Sequence, residues 1–303
     1  MSKILVTGSN GRIGRKTLEQ LLKVVPASEL LGLARDPAKS ADLAAKGIEI
    51  REGDSFDYNS LLRAFDGVEK LLLISAHGFT DRFTQHYNAI TAARQVGVKQ
   101  IAFTAIIRKE GSGFVMPEVT ESDIFTEQTL KASGLTYTIL RHPPFFETMQ
   151  FYLGEEACDV GVRVPAGSGK VAPATMDELA AANVPILTKP GHENKTYTLS
   201  GSDSASFADI AKILSEIKGK SVPYLEITDQ QYIENYVSGG LPAPLAGFAL
   251  GWVQAINRGQ FGDMPGDLEK LIGRKTTTFR DALKNYPVVA PELEALKAPQ
   301  PNR

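Results

Sequence analysis

Along the first half of the chain the apolar residues switch period repeatedly. The run over 3–7 (Lys-Ile-Leu-Val-Thr) reads as a short buried strand, and from Arg15 the residues Leu18, Leu21, Leu22 and Val25 recur at helical spacing. Apolar runs predict further strands over 30–34, 70–75 and 100–105, and two more over 48–51 and 136–141. Helical patterns over 36–45, 59–65, 81–96 and 121–132 fall between them. Asp36-Pro37 has the form of an N-cap with proline at the first helical position, and Pro143-Pro144 cuts off the last strand. Strand and helix in strict alternation predict an α/β fold with a Rossmann-type, doubly wound parallel sheet. Beyond 146 the rhythm breaks into short elements near 171–172, a helix over 176–187 and a strand over 196–199. An amphipathic helix then carries Phe207, Ile210, Leu214 and Ile217 on one face, followed by a strand over 222–227 and two helices around the break at 239–242. The expected division is a nucleotide-binding domain over 1–150, its sheet completed by the strand near 196–200, a smaller α/β substrate lobe over 151–298, and a flexible tail over 299–303.

Composition narrows the classes. A chain of 303 residues with a formal net charge of -2 has ample core, and its charge argues against nucleic acid or an anionic membrane as the main partner. No stretch has the length and apolarity of a membrane span or the layout of a signal peptide. The single cysteine, Cys158, excludes an intrachain disulfide and a cysteine-built metal site, and no metal is expected. A reducing cytoplasm fits this pattern.

The most specific chemistry lies in the turn after the first strand, Gly8-Ser9-Asn10-Gly11-Arg12-Ile13-Gly14. Strand, glycine turn and helix in that order place unpaired backbone N–H groups at the positive end of a helix dipole, where a dinucleotide's pyrophosphate can sit. Gly8 permits the tight turn, Gly11 the approach of the phosphates, and Gly14 the close packing of helix on strand. The residue that ends the second strand meets the adenosine ribose in such folds. Here it is Arg35 rather than a carboxylate, with Arg12 in the loop and Lys39 one helical turn on, so a 2′-phosphate and hence NADP(H) over NAD(H) is expected. Asp54 ends the third strand and has two readings, an acceptor for the adenine amino group or a turn cap. Ser75-Ala76-His77-Gly78 ends the fourth strand at the carboxyl edge, where its small residues allow close approach of the cofactor.

These motifs, with Leu33-Ala34-Arg35-Asp36-Pro37, Glu52-Gly53-Asp54, Gly97-Val98-Lys99, Tyr137-Thr138-Ile139-Leu140-Arg141 and Gly191-His192-Glu193-Asn194-Lys195-Thr196-Tyr197, resemble the NmrA-like branch of the atypical short-chain dehydrogenases/reductases. Within it the chain is most similar to bacterial NADPH-dependent quinone reductases and triphenylmethane-dye reductases, from residue 1 to about 285. The resemblance implies that the turns Ser75-Ala76-His77 and His142-Pro143-Pro144-Phe145 flank the nicotinamide, and that a homodimer is a candidate assembly. His142 departs from the smaller, less basic residue usual at its position. Phe79, Phe145, Phe146, Phe151 and Tyr152 offer stacking faces to a flat aromatic or quinone-like substrate, or else belong to the core between the lobes.

The proton machinery of the wider superfamily is missing. No tyrosine has lysine four residues on; Tyr137 comes closest, with Arg141, but sits in a strand. The stretch over 120–125, where some relatives carry a lysine, has none. Hydride transfer to an isolated ketone needs a positioned acid or oxyanion stabiliser, whereas a quinone or delocalised dye spreads the incoming charge. The expected activity is therefore NADPH-dependent reduction of a quinone or other conjugated aromatic acceptor. The alternatives are a non-catalytic NADP(H)-binding redox sensor, and a specialised reductase of an aromatic intermediate that recruits His77 and His142 as acids. His86 and His192 are assigned no chemistry.

Overall fold

In each central strand alternate side chains go to opposite faces of one sheet. In the computed structural model, which describes residues 3–262 and 266–287, Ile4 and Val6 of β1 (Ile4–Val6) face one core while Leu5 faces the other. The same split recurs in β2 (Leu30–Ala34), β4 (Lys70–Leu73), β5 (Gln100–Ile106) and β6 (Thr136–His142). With β3 (Glu49–Glu52) and β8 (Lys195–Thr198) they form a seven-stranded sheet in the order β3-β2-β1-β4-β5-β6-β8. Every pairing is parallel. Apolar residues of α1 (Arg12–Leu21) cover one face, and those of α3 (Tyr58–Phe65), α4 (Arg82–Gln95) and α5 (Thr120–Ala132) cover the other. The short α2 (Ala41–Ala45) follows a 3-10 turn that Asp36 caps by accepting from Ala38 N–H, as its sequence predicts.

The remaining elements build the lobe and close the sheet. They are α6 (Met149–Leu153), α7 (Ala157–Val160), β7 (Val162–Pro165), α8 (Met176–Thr188), α9 (Phe207–Lys218), β9 (Tyr224–Ile227), α10 (Asp229–Ser238), α11 (Ala243–Asn257), α12 (Leu268–Ile272) and α13 (Phe279–Leu283). Helix α8 starts with a reciprocal Thr175–Glu178 capping box and packs beside α1 on the sheet. Strands β7 and β9 make a separate parallel pair, and a third core from Met149, Tyr152, Val162, Phe207, Val253 and Phe279 lies under the lobe. No described helix is long and apolar enough to cross a membrane.

Two expectations shift. Helix α1 begins at Arg12, not Arg15, because the end of the glycine turn is already helical, with Arg15 N–H donating to the Gly11 carbonyl. Elements α6, α7, β7, α12 and α13 were not foreseen; at four or five residues each they are too short to display a period. The tail over 299–303 lies outside the described residues.

The carboxyl ends of β5 and β6 are tied together by charge. Glu127 of α5, 2% exposed, accepts two hydrogen bonds from Arg108 (2.7 and 2.6 Å) and two from Arg141 (3.0 and 2.8 Å). Burial alone would raise its carboxyl, but the hydrogen bonds and charges of Arg108 and Arg141 outweigh burial and hold it below the usual range. Glu127→Gln would leave two largely buried guanidinium groups with only the exposed Glu110 carboxylate beside them, and a loss of about 3–5 kcal/mol is expected in chemical denaturation. Glu127's contribution is complete above the ordinary glutamate pKa of 4.5 and is lost as pH falls through the lowered folded value. Wild type should therefore lose this advantage over the variant in acid; a constant difference down to pH 3 would contradict the assignment.

Candidate functional site

The strand order reverses between β1 and β4, and in open α/β sheets the crevice outside the carboxyl ends at that point is the ligand site. Residues 8–14 fill its floor. Gly8 has φ +63°, in the left-handed region, and its carbonyl accepts from Gly11 N–H at 2.8 Å. A Cβ on Gly14 would stand 2.3 Å from the Gly8 oxygen, so helix and turn touch backbone to backbone. No side chain caps α1. Without such a cap the positive end of the helix is suited to an anion.

Ser9 and Asn10 serve the loop itself. Ser9 is fully buried, with N–H and hydroxyl both donating to the Leu33 carbonyl at 3.1 Å. Asn10 Nδ2 donates to the Asp36 carbonyl at 3.0 Å, and its Oδ1 accepts from Ser40 Oγ. These bonds fasten the glycine turn to the end of β2. Arg35 stands at that end, exposed and without a salt bridge among the described residues, beside exposed Lys39, whose amine lies 3.9 Å from Asp36. Arg12 and Ile13 open α1, Arg12 exposed and Ile13 buried. Asp54 accepts from Phe56 N–H at 3.0 Å, so one of its oxygens is engaged in a turn.

Across the crevice lie the ends of β4 and β6. After Leu73 the backbone amides lose their strand partners and find side chains instead. Ile74 N–H donates to Thr7 Oγ1 and Ser75 N–H to Thr104 Oγ1, each at 2.9 Å. Ala76 N–H donates to His86 Nε2 at 2.9 Å, and its carbonyl accepts from Arg82. Arg82 forms a buried ion pair with Asp123 at 2.5 Å, and the other Asp123 oxygen accepts from Ile106 N–H at 2.7 Å. Burial pushes the Asp123 carboxyl up against the pull of Arg82. Sequence reading passed over Thr7, Arg82, His86, Thr104 and Asp123; Arg82 and His86 at i, i+4 were the available signal.

His77 follows Ala76 and is exposed, its imidazole pushed down by desolvation and then by Arg82. His142, at the end of β6, is buried, its Nε2 has no hydrogen-bond partner, and burial pushes its pKa down to about 3. It is a neutral imidazole, excluded from acting as a cationic acid. Pro143 and Pro144 are buried beside it, and the Phe145 ring lies 6.2 Å away.

The aromatic candidates separate. Phe79 is 41% exposed and meets Phe248 of α11 edge-on at 5.0 Å, and Phe151 of α6 lies 6.5 Å from the same ring. Phe146 instead packs edge-on against Phe279 at 5.0 Å, and Tyr152 lies 5.9 Å from Trp252 with its hydroxyl on Thr148. Both are buried core residues: Phe146 sits in the turn Phe146–Thr148 and Tyr152 in α6, and both side chains enter the core under the lobe. Phe248 and Trp252, one turn apart on α11, were not foreseen, although their i, i+4 spacing was visible. Beside this mouth a cleft of about 280 Å³ opens between Thr80, Phe83 and the loop over 115–119.

His86 and His142 are pushed down to about 3 and His77 below its ordinary 6.5, so burial favours the neutral form of all three. The rate of any hydride transfer here should be flat from pH 6.5 to 9 apart from ionisation of the acceptor. A protein-derived inflection in that window, seen with two acceptors, would contradict the neutral-histidine assignment.

Comparison with known proteins gives a consistent result. The NAD(P)H-binding family profile matches residues 8–189. Quinone oxidoreductase 2 of Escherichia coli (strain K12) is 36% identical over 285 residues, covering 93% of this chain and 98% of that protein. The NAD(P)H azoreductase of Xenophilus azovorans is 29% identical over 286 residues, 93% of this chain and 97% of that protein. The crystal structure of Citrobacter sp. triphenylmethane reductase complexed with NADP(H) superposes with a TM-score of 0.85 at 34% identity, over 92% of this chain and 98% of that one.

Proposed function

Because the chain belongs to the NAD(P)H-binding family of NmrA-like oxidoreductases, we propose that it is an NADPH-dependent reductase of quinones or other conjugated aromatic acceptors. The observation that carries this reading is an α1 without a side-chain cap beside Arg35, an exposed cation with no salt bridge among the described residues, and an aromatic mouth across the crevice. Solved relatives support the cofactor, being described as complexed with NADP(H) and NADPH, and named relatives support the acceptor class, since they reduce quinones, azo compounds and triphenylmethanes by name.

The chain's residues divide the task. First-turn amides of α1 would receive the pyrophosphate, and Arg35, with Lys39 one turn on, would hold the 2′-phosphate. The segments over 75–77 and 142–145 bound the nicotinamide side, and Phe79, Phe151 and Phe248 lay a flat acceptor against it. When bound, NADPH supplies the hydride. Charge arriving on a conjugated acceptor is delocalised, so water suffices as the proton source, and the lack of a tyrosine–lysine pair costs nothing. Arg141, the nearest approach to such a partner, is committed to Glu127. Cys158 is buried and its thiol pushed up by burial, which argues against thiol chemistry.

Purified protein mixed with NADPH and a panel of quinones, azo dyes and cationic dyes should oxidise NADPH, followed by its absorbance. Tight binding with no oxidation across the panel would favour a redox sensor. Arg35→Asp should weaken NADPH binding by about 1–3 kcal/mol and spare NADH, as expected for loss of a charge-assisted phosphate contact. Equal weakening of both would make Arg35 structural.

A further inference from the structure

One residue just after β4 is gripped through both of its backbone groups by a single face of α4. Ala76 N–H donates to His86 Nε2, and the Ala76 carbonyl accepts from Arg82, one turn earlier on the same helix. Neither holder is free to swing. Arg82 is paired with Asp123, and its Nε donates to Ser122 Oγ at 2.8 Å. His86 Nδ1 lies 2.8 Å from Thr126 Oγ1, and the Thr126 hydroxyl donates to the Ser122 carbonyl at 2.7 Å. With the threonine proton committed there, the imidazole proton must sit on Nδ1, which leaves Nε2 as a pure acceptor aimed at Ala76. Phe103, edge-on at 5.2 Å, closes the ring's remaining side. Both ring nitrogens of His86 are therefore used, and its ring is fixed in one tautomer and one orientation.

The position of that residue gives the grip its consequence. Ala76 follows β4, on the opposite side of the switch point from β2 and β3, where the adenosine half of a dinucleotide lies. The residue thus borders the nicotinamide half. Its two predecessors, Ile74 and Ser75, have their N–H groups fixed by Thr7 and Thr104, so the chain over 74–76 cannot relax around a loosened Ala76 without breaking further bonds.

We propose that His86 is a positioning residue for the hydride-donating half of the cofactor: by fixing the Ala76 backbone it sets the wall against which the nicotinamide lies. This rests on the NADPH reading above. Its signature is selectivity between the halves of one ligand. NADPH spans both sides of the switch point, whereas 2′,5′-ADP carries the adenosine and 2′-phosphate groups alone.

Both ligands are titrated calorimetrically into wild type, His86→Leu and His86→Gln, and melting temperatures are recorded. In His86→Leu, NADPH affinity should fall about tenfold, from the orphaned Ala76 amide and the freed wall, while 2′,5′-ADP affinity stays unchanged. His86→Gln, whose side-chain carbonyl reaches the ring's ε position, should recover most of the loss. Equal weakening of both ligands, or of neither, in His86→Leu overturns the proposal. Should His86→Leu fail to fold, Thr126→Val keeps the ring but frees its Nδ1 side; a selective NADPH loss of about threefold is expected, and a non-selective one is contrary. Wild type that binds neither ligand is a different result: it removes the cofactor reading, and this inference with it.

Discussion

One buried polar face of α5 holds the site together. Asp123, Thr126 and Glu127, at i, i+3 and i+4, are each at most 2% exposed. Through them the helix reaches the ends of three strands. Asp123 and Thr126 secure Arg82 and His86, which hold Ala76 after β4, and Asp123 also binds Ile106 N–H at the end of β5. Glu127 binds Arg108 after β5 and Arg141 of β6. Strands leaving a sheet shed their ladder partners just where ligands bind, so their amides and carbonyls must be satisfied by something that does not fill the crevice. Side chains from beneath meet that demand. Ion pairs in such a place add little net stability over an apolar core, but removing one member leaves an uncompensated charge, so alternatives to the native arrangement are penalised.

This scaffold also explains what happened to the proton machinery. The helix stretch over 120–125, searched for a lysine, carries Asp123 instead, turned inward to Arg82. The face of α5 that could have presented an acid is consumed in holding backbone. His86 and His142 are desolvated and neutral, one saturated with hydrogen bonds and the other with an unpartnered Nε2. Chemistry at this crevice must then rely on placing a donor against an acceptor.

How far the sequence could be read follows from the reach of each signal. The alternation of strand and helix, the glycine turn, the Asp36 cap and Arg35 at the end of β2 are local patterns, and the structure places them where those patterns put them. The roles of Ser9 and Asn10 as tethers were not legible, since their partners Leu33, Asp36 and Ser40 lie on another segment. Arg82, Asp123 and Glu127 read in sequence as ordinary solvated helix charges; only their partners, 14 to 41 residues away, reveal that they are inside. Phe146 and Tyr152 show the converse. Aromatic residues beside a site motif suggest a mouth, yet the turn Phe146–Thr148 and the helix Met149–Leu153 direct these two into the core, and Phe248 from distant α11 takes the place at the mouth.

The two walls of the crevice are built to different standards. On the cofactor side successive amides at 74, 75 and 76 are each fixed by a buried side chain. On the other side, partly exposed rings from three separate segments (Phe79, Phe151 and Phe248) meet at 5.0 to 6.5 Å with no hydrogen bond to fix a partner's orientation. For a reaction governed by the placement of a hydride donor, rigidity matters most where the donor lies, because small displacements there act on every substrate alike. An acceptor that delocalises its charge places few directional demands, and apolar faces can seat flat molecules of differing outline. A fixed wall opposite an adaptable one suits the proposed chemistry: the mouth would set which acceptors fit, and the clamp beneath would set how the donor is placed.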